Sequence, residues 1–130
     1  MIRFGAQEPG MYTKVNLEDV DEYDPDDVGA NVKPVGYELQ PEKMRPSVWL
    51  FDEGDENRRH RQTDQEELYY VVKGNATMEV DGDEVEMDEG DFVVVSPEHW
   101  RQITAHERTR ILVVGAPNVK DDHVTEEDAE

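Results

Sequence analysis

Three absences from this sequence each exclude a class of protein. Cysteine does not occur among the 130 residues, which excludes disulfides, thiolate metal sites and a cysteine nucleophile. No apolar run reaches the length of a transmembrane helix, and residues 1–5 contain no apolar core of the kind found in signal peptides. We therefore predict a cytoplasmic protein without a membrane span.

Basic residues are also scarce. The chain has 13 Lys plus Arg against 33 Asp plus Glu, for a formal net charge of -20. Such a charge repels phosphate groups, which argues against binding to nucleic acid or to anionic membranes. The acidic residues are spread along the chain, and arginine outnumbers lysine by eight to five. This composition resembles that of proteins adapted to high salt, where ions screen self-repulsion, so we predict a halophilic protein with an acidic surface.

The apolar residues, in contrast, are strongly patterned in the centre of the chain. Short apolar runs are separated by glycine and aspartate turn signals, as in an all-β domain. The predicted strands are residues 35–39, 48–51, 68–72, 76–80, 84–87, 91–95, 100–103 and 111–114, with a further edge strand at 11–15. Asp81-Gly82 predicts a tight hairpin between two of them. So many short strands in a chain of this length predict one domain, either a sandwich or a barrel.

Five residues at fixed spacing carry a family resemblance. Gly54, His60, Gln62, Glu67 and Gly74 follow the spacing G-x5-H-x-H-x(3,4)-E-x6-G, with glutamine in place of the second histidine. This pattern resembles the first motif of the cupin superfamily. The resemblance implies an all-β double-stranded β-barrel of the jelly-roll type, which commonly forms homodimers.

The resemblance also divides the chain into three segments. We predict an irregular N-terminal arm at residues 1–34 that packs on the barrel, the barrel at 35–117, and an acidic tail at 118–130. The end of this tail is expected to be at most a frayed helix. No role is predicted for His106 or His123, which fall in a turn and in the tail.

The second cupin motif, G-x5-P-x-G-x2-H-x3-N, begins at Gly90 but departs from the pattern further on. Ser96 stands at the proline, Glu98 at the glycine, Arg101 at the histidine and Ala105 at the asparagine. In the family, three histidines and one glutamate hold a divalent metal, and the last histidine belongs to this motif. Arginine cannot replace that histidine as a ligand, because guanidinium stays protonated and has no acceptor. The resemblance therefore implies a degenerate metal site.

Two interpretations of the degenerate site remain open. In the first, no cofactor is bound, and Arg101 supplies the positive charge by pairing with Glu67 or Glu66, because a buried carboxylate needs a partner. In the second, a bulge brings His99 inward as an additional ligand. A divalent metal (Fe, Mn, Zn or Ni) is then bound by His60, Gln62, Glu67 and His99.

The predicted ligand-binding residues follow from strand geometry together with the resemblance. On a strand, alternate residues share a face, so His60 and Gln62 are both expected in the interior. The predicted cavity residues are His60, Gln62, Glu67, Tyr69 and Arg101. The basic stretch at residues 58–61 either attracts an anionic small molecule or balances the surrounding acidic residues.

Three functions are compatible with these residues, and the sequence leaves open whether the protein is an enzyme. The first is the binding of a small organic ligand without an obligatory metal. The second is a metal-dependent dioxygenase, isomerase or lyase. The third is a metal-free isomerase or epimerase in which His60 is the general base and Arg101 holds a substrate carboxylate. The catalytic candidates are His60, Glu67 and Arg101.

Overall fold

The computed structural model describes residues 11–129. These residues form ten strands, one short α-helix, α1 (Val35–Leu39), and a 3-10 helix at Leu17–Asp19. The strands are β1 (Asn31–Lys33), β2 (Arg45–Phe51), β3 (His60–Gln62), β4 (Glu66–Lys73), β5 (Asn75–Val80), β6 (Asp83–Asp88), β7 (Phe92–Val95), β8 (Arg101–Ala105), β9 (Thr109–Ala116) and β10 (His123–Thr125). Within this part of the chain, no helix is long and apolar enough to cross a membrane.

The strands form two antiparallel sheets of five strands each. The order is β1-β2-β9-β4-β7 in the first sheet and β10-β3-β8-β5-β6 in the second. The two sheets share one core, which confirms the all-β prediction in the form of two packed sheets. Among the described residues, strand pairing does not close the sheets into a barrel.

The core forms between the sheets because inward-facing side chains alternate along each strand. Glu67 on β4 and Arg101 on β8 occupy inward positions in the same rows as apolar residues, and both are buried. The alternation that builds the core therefore also places polar side chains inside the fold. The largest apolar members of the core are Trp49, Phe51, Tyr69, Met78, Met87, Ile103 and Ile111.

The predicted hairpin at Asp81-Gly82 is confirmed. These two residues join β5 to β6, and Val80 pairs with Asp83. Both turn residues have positive φ angles, 48° for Asp81 and 95° for Gly82. Two consecutive positive φ angles match the right-handed twist of the flanking strands, and Asp-Gly favours this conformation.

The strand predicted at residues 35–39 is wrong, because this segment forms α1. Val35 and Tyr37 alternate with other residues as in a strand, but five residues are too few to separate a period of two from a helical period. Pro34 stands at the N-cap of the helix. Gln40 ends it in the left-handed conformation, with φ of 52°.

Both ends of the chain also depart from the predictions. Residues 11–15 form no strand. The predicted arm and tail each contribute a strand instead, because β1 pairs with β2 and β10 pairs with β3. The end of the tail was expected to be at most a frayed helix, whereas the structure places the β-branched residues Val124 and Thr125 in β10. Residues 1–10 of the predicted arm and Glu130 lie outside the described residues.

Candidate functional site

Strands from both sheets bring four predicted site residues together. His60 on β3 lies directly opposite Arg101 on β8, so both residues enter the interior from the second sheet. Glu67 and Tyr69 lie two residues apart on β4 and point inward from the first sheet. Each of the four is at most 7% exposed. We refer to His60, Glu67, Tyr69 and Arg101 as the polar cluster.

The contacts within the polar cluster converge on one carboxylate oxygen. The Tyr69 hydroxyl donates a hydrogen bond to Glu67 Oε1. His60 Nε2 lies 3.4 Å from the same oxygen, and Arg101 Nη2 lies 3.8 Å from it. Among the described residues, no hydrogen bond is made to the other oxygen, Oε2. The predicted pairing of Arg101 with Glu67 is therefore present, whereas Glu66 lies on the exposed face of β4.

The surroundings keep Glu67 ionised and Tyr69 protonated. Burial raises the pKa of Glu67, but the hydrogen bond and electrostatic attraction of His60, together with Tyr69 and Arg101, bring this pKa below its ordinary value. Burial, assisted by the Glu67 carboxylate, raises the pKa of Tyr69 well above its ordinary value. At neutral pH, Tyr69 is therefore a hydrogen-bond donor and Glu67 an acceptor.

A cavity of about 720 Å³ lies beside the polar cluster. Glu67 lines this cavity, but His60, Tyr69 and Arg101 do not. Glu67 is thus the member of the polar cluster that faces the cavity, and the other three contact Glu67 without lining the cavity. Other strand residues in the cavity wall include Ser47, Trp49, Gln62 and Val113.

Arg101 is fully buried but incompletely hydrogen-bonded. Its Nη1 donates to the backbone oxygen of His99 at 2.7 Å. Its Nε and Nη2 have no hydrogen-bond partner in the described part of the chain. Because Nη2 remains within 3.8 Å of Glu67 Oε1, the main electrostatic role of Arg101 is to compensate that carboxylate. The guanidinium is not placed to hold a substrate carboxylate in the cavity.

Gln62 is oriented by a second buried network. Its Nε2 donates to Gln65 Oε1 at 2.9 Å and to Asp122 Oδ2 at 3.1 Å. Asp122 also accepts the backbone N–H groups of Asp64 and Gln65. Neither Gln65 nor Asp122 was predicted as a site residue. Asp122 is one of many acidic residues, and it reaches Gln62 because the following strand, β10, pairs with β3.

His123 is a further residue that the sequence analysis missed. Its ring stacks on His60, with centroids 4.6 Å apart, and the side chain lines the cavity. Its Nε2 lies 3.0 Å from the backbone oxygen of Asp27. Burial, followed by the influence of His60, lowers the pKa of His123. Nothing in the local sequence marks this residue, since its position depends on the long-range pairing of β10.

His99 is not part of the polar cluster, although it was predicted as a possible ligand. Its Nδ1 lies 2.6 Å from Asp81 Oδ2, and its side chain is 52% exposed. β8 begins only at Arg101, so the bulge that was expected to turn His99 inward is not formed. The structure therefore does not bring His99 together with His60, Gln62 and Glu67, as the alternative with a bound metal requires.

The basic stretch at residues 58–61 contains the two residues before β3 and the first two residues of β3. His60 points inward, while the neighbouring arginines form ion pairs at the surface. Arg58 pairs with Glu127, Arg59 with Glu79 and Glu126, and Arg61 with Glu98. None of these arginines lines the cavity. The three arginines of the stretch are therefore paired with acidic residues at the surface and make no contact with the cavity.

Comparison with known proteins identifies the family. The sequence pattern described as the Cupin domain matches residues 47–115, which is more than half of the chain. The chain belongs to the cupin family. None of the curated proteins matches this cupin.

Solved structures resemble this cupin over most of its length. KdgF from Halomonas sp. is 21% identical, with a TM-score of 0.71 over 86% of this chain and 97% of that chain. A variant of PAC13 from Streptomyces, with uridine, is 14% identical, with a TM-score of 0.71 over 86% and 88%. A sugar phosphate isomerase of the cupin superfamily from Silicibacter pomeroyi is 19% identical, with a TM-score of 0.69 over 81% and 76%. At these identities the similarity concerns the fold.

The residues of this cupin do not fit the metal site of its family. A divalent cation beside Glu67 would lie next to the Arg101 guanidinium, whose positive charge repels it and which offers no acceptor. Gln62 offers a neutral amide oxygen where the family motif has an imidazole, and this oxygen is a weaker ligand for a transition metal. Within residues 11–129, no group of three or more His, Asp or Glu side chains is arranged to hold a metal ion.

Proposed function

We propose that this cupin binds a small organic ligand in the cavity beside Glu67 and that no metal is required. The arrangement of Glu67 supports this proposal. Three buried side chains contact its Oε1, and the same residue lines a cavity of about 720 Å³. Cavities of this size suit small molecules, and a few fixed polar groups in the wall determine how such molecules are oriented. A carboxylate that is already held in place loses little conformational freedom on binding.

Two of the similar structures support a ligand of this kind. The PAC13 variant is a structure with uridine, and the protein from Silicibacter pomeroyi is called a sugar phosphate isomerase. Both names refer to small organic molecules. Because one fold hosts many activities, they support the class of ligand and not a particular reaction.

A metal-free isomerase or epimerase is the second candidate, with roles different from those expected at first. Glu67 contacts the cavity, whereas His60 and Arg101 do not. The general base in such an enzyme would therefore be Glu67, with His60, Tyr69 and Arg101 controlling its basicity. The pKa of Glu67 is lowered, and a carboxylate with a lowered pKa is a weak base at neutral pH. This favours ligand binding over proton abstraction.

Ligand-observed NMR tests the binding function. The panel contains neutral sugars, nucleosides including uridine, small carboxylates and small amines, each measured with wild type, Glu67→Gln and Glu66→Gln. We expect at least one compound to show saturation transfer with wild type and with Glu66→Gln, and to lose it with Glu67→Gln. The control removes a carboxylate from the adjacent, exposed position. Binding that persists in Glu67→Gln, or no binding by any compound, would contradict the proposal.

Metal content separates this proposal from a metal-dependent enzyme. Wild type and His60→Ala are purified without a metal-affinity column and measured by inductively coupled plasma mass spectrometry. We expect no near-stoichiometric transition metal in either protein, because Arg101 occupies the position of a family ligand and carries a positive charge. A stoichiometric metal in wild type that is lost in His60→Ala would favour the metal-dependent dioxygenase, isomerase or lyase.

We also propose that this cupin is a homodimer formed through the outer face of the first sheet. This face is apolar although the chain carries a net charge of -20. Phe92 and Val94 of the edge strand β7 are 66% and 56% exposed, and Phe92 stacks on Tyr70 of β4. Exposed apolar side chains on an edge strand are an uncovered surface that a second copy can bury. The apolar positions on this face are Leu68, Tyr70, Val72, Phe92, Val94, Leu112 and Val114.

A further inference from the structure

Two buried side chains in the cavity wall each have one oxygen that the protein leaves unused. Glu67 has all three of its contacts on Oε1, so Oε2 has no hydrogen bond in the described part of the chain. Gln62 donates both of its hydrogen bonds through Nε2, and no hydrogen bond involves its Oε1 within residues 11–129. Gln62 is 3% and Glu67 7% exposed, and both line the cavity. Neither oxygen is among the fully buried side-chain atoms that lack a partner in the described part of the chain, so both are accessible acceptors at the cavity wall.

The orientation of the Gln62 amide follows from its partners. Its nitrogen faces two acceptors, Gln65 Oε1 and Asp122 Oδ2. The reverse orientation would place the amide oxygen against both acceptors, which is unfavourable. Gln65 cannot reverse to compensate, because its own nitrogen donates to the backbone oxygens of Pro117 and Val119. Gln62 therefore has only an acceptor left for a ligand.

The charges around the cavity distinguish among the possible donors. Arg101 already compensates Glu67 and repels an ammonium group brought to the same carboxylate, which reduces the attraction that the acidic wall exerts on such a ligand. An anionic ligand is disfavoured because the cavity wall has four acidic residues against two basic ones. The acidic residues are Asp27, Glu67, Asp121 and Asp122, and the basic residues are Arg45 and Lys120. An uncharged O–H donor avoids both penalties.

Trp49 supplies an apolar part of the same wall. Its indole is held by edge contacts to His60 and Tyr69, with ring centroids 6.2 and 6.1 Å away. A rigid aromatic side chain can contact the carbon-bound hydrogens of a ring while acceptors bind the hydroxyl groups. From the unused oxygens, the charges and this indole, we infer that the ligand is an uncharged polyhydroxylated compound, recognised through its hydroxyl groups by Glu67 Oε2 and Gln62 Oε1. This inference rests on the proposed ligand-binding function.

Matched ligands on the wild-type protein test the inference without any substitution. D-Glucose, D-glucuronate and D-glucosamine differ in charge, while uridine and 2′,3′-dideoxyuridine differ in two hydroxyl groups. We expect the uncharged hydroxylated member of each set to bind about tenfold more tightly, the size of effect expected for one hydrogen bond to a charged group. Titration calorimetry and saturation-transfer NMR measure these differences.

The outcomes separate failure of the inference from failure of the proposed function. Tighter binding of glucuronate, glucosamine or the dideoxy nucleoside overturns the inference but leaves a ligand-binding protein. Absence of binding by every compound contradicts both. Glu67→Gln and Gln62→Met, each checked for folding by circular dichroism, are expected to weaken the hydroxylated ligand about tenfold or more. Glu66→Gln is expected to leave its binding unchanged, and equal losses in all three variants would also overturn the inference.

Discussion

Arg101 Nη2 lies 3.8 Å from Glu67 Oε1 in the interior of the fold, where Arg101 is fully buried. In the cupin motif, the position of Arg101 is that of a metal-binding histidine. A guanidinium cannot ligate a metal, but its permanent charge can compensate the glutamate that would otherwise face one. The electrostatic attraction of Arg101 adds to the larger contributions of His60 and Tyr69, which together bring the pKa of the buried Glu67 carboxyl below its ordinary value.

The Arg101–Glu67 pair is testable by a double-mutant cycle. Arg101→Met leaves the Glu67 carboxylate buried without its cation, and we expect it to lower the free energy of unfolding by about 3–5 kcal/mol. The double variant Arg101→Met/Glu67→Gln removes both charges and is expected to recover a large part of this loss. Urea unfolding followed by circular dichroism measures all four proteins.

Arg108→Met is the control for this cycle, because the Arg108 side chain is 92% exposed and its ion pair with Asp52 is long, at 3.9 Å. Little change in stability is expected from it. A loss in Arg101→Met no larger than that in Arg108→Met would show that the buried pair has no special role.

Glu67 also predicts a dependence of stability on pH. Its pKa in the folded protein is lowered, since the contacts of His60, Tyr69 and Arg101 outweigh the effect of burial. A group of this kind contributes stability above its unfolded pKa, about 4.3 for glutamate, and loses that contribution as the pH falls through the folded pKa. The difference in unfolding free energy between wild type and Glu67→Gln should therefore shrink as the pH falls below about 4.3. A difference that grows in this range would contradict the assignment.

If two copies associate through the apolar outer face of the first sheet, one charged residue introduced on this face should prevent dimerisation. Phe92→Lys places a cation on the 66% exposed position of β7 and is expected to give a monomer in analytical ultracentrifugation. Glu84→Lys introduces the same residue on β6, at the edge of the other sheet, and should leave the dimer intact. A wild-type protein that is monomeric at micromolar concentration, or a dimer that survives Phe92→Lys, would rule out this interface.

The net charge of -20 predicts stabilisation by salt. Raising KCl from about 0.1 to about 2 M shortens the screening length and relieves repulsion between the acidic residues of the compact state. We expect the midpoint of thermal unfolding to rise over this range. Sucrose, which is also excluded from protein surfaces but does not screen charge, serves as the control. An equal rise in sucrose, or no rise in KCl, would count against adaptation to salt.

The predictions from sequence succeeded where local spacing determines the outcome. Alternation along a strand is enough to place His60 and Gln62 on one interior face and Glu67 inward on the next strand. The Asp81-Gly82 turn is equally local, because two adjacent residues set the conformation. The resemblance to the second cupin motif then predicted that Arg101 lies near Glu67, because in the cupin fold the two motifs meet in the interior.

The failures concern short segments and contacts between distant parts of the chain. Residues 35–39 form a helix and not the predicted strand. The prediction failed because five residues carry too weak a periodicity to distinguish a helix from a strand. One of the two open interpretations of the degenerate site placed His99 beside Glu67, but His99 precedes β8 and pairs with Asp81. Strand alternation applies only within a strand, and the exact start of a strand depends on its partners.

The sequence by itself determined the family, the all-β class and the inward direction of the polar residues, because these depend on short-range periodicity and on motif spacing. Only the tertiary structure decided which polar residues contact the cavity. Glu67 and Gln62 line it, whereas His60 and Arg101 do not. The pairing of β10 with β3 also brings His123, and Asp122 just before it, to the cavity wall. Those relationships arise from packing between strands that are far apart in sequence, and no local pattern encodes them.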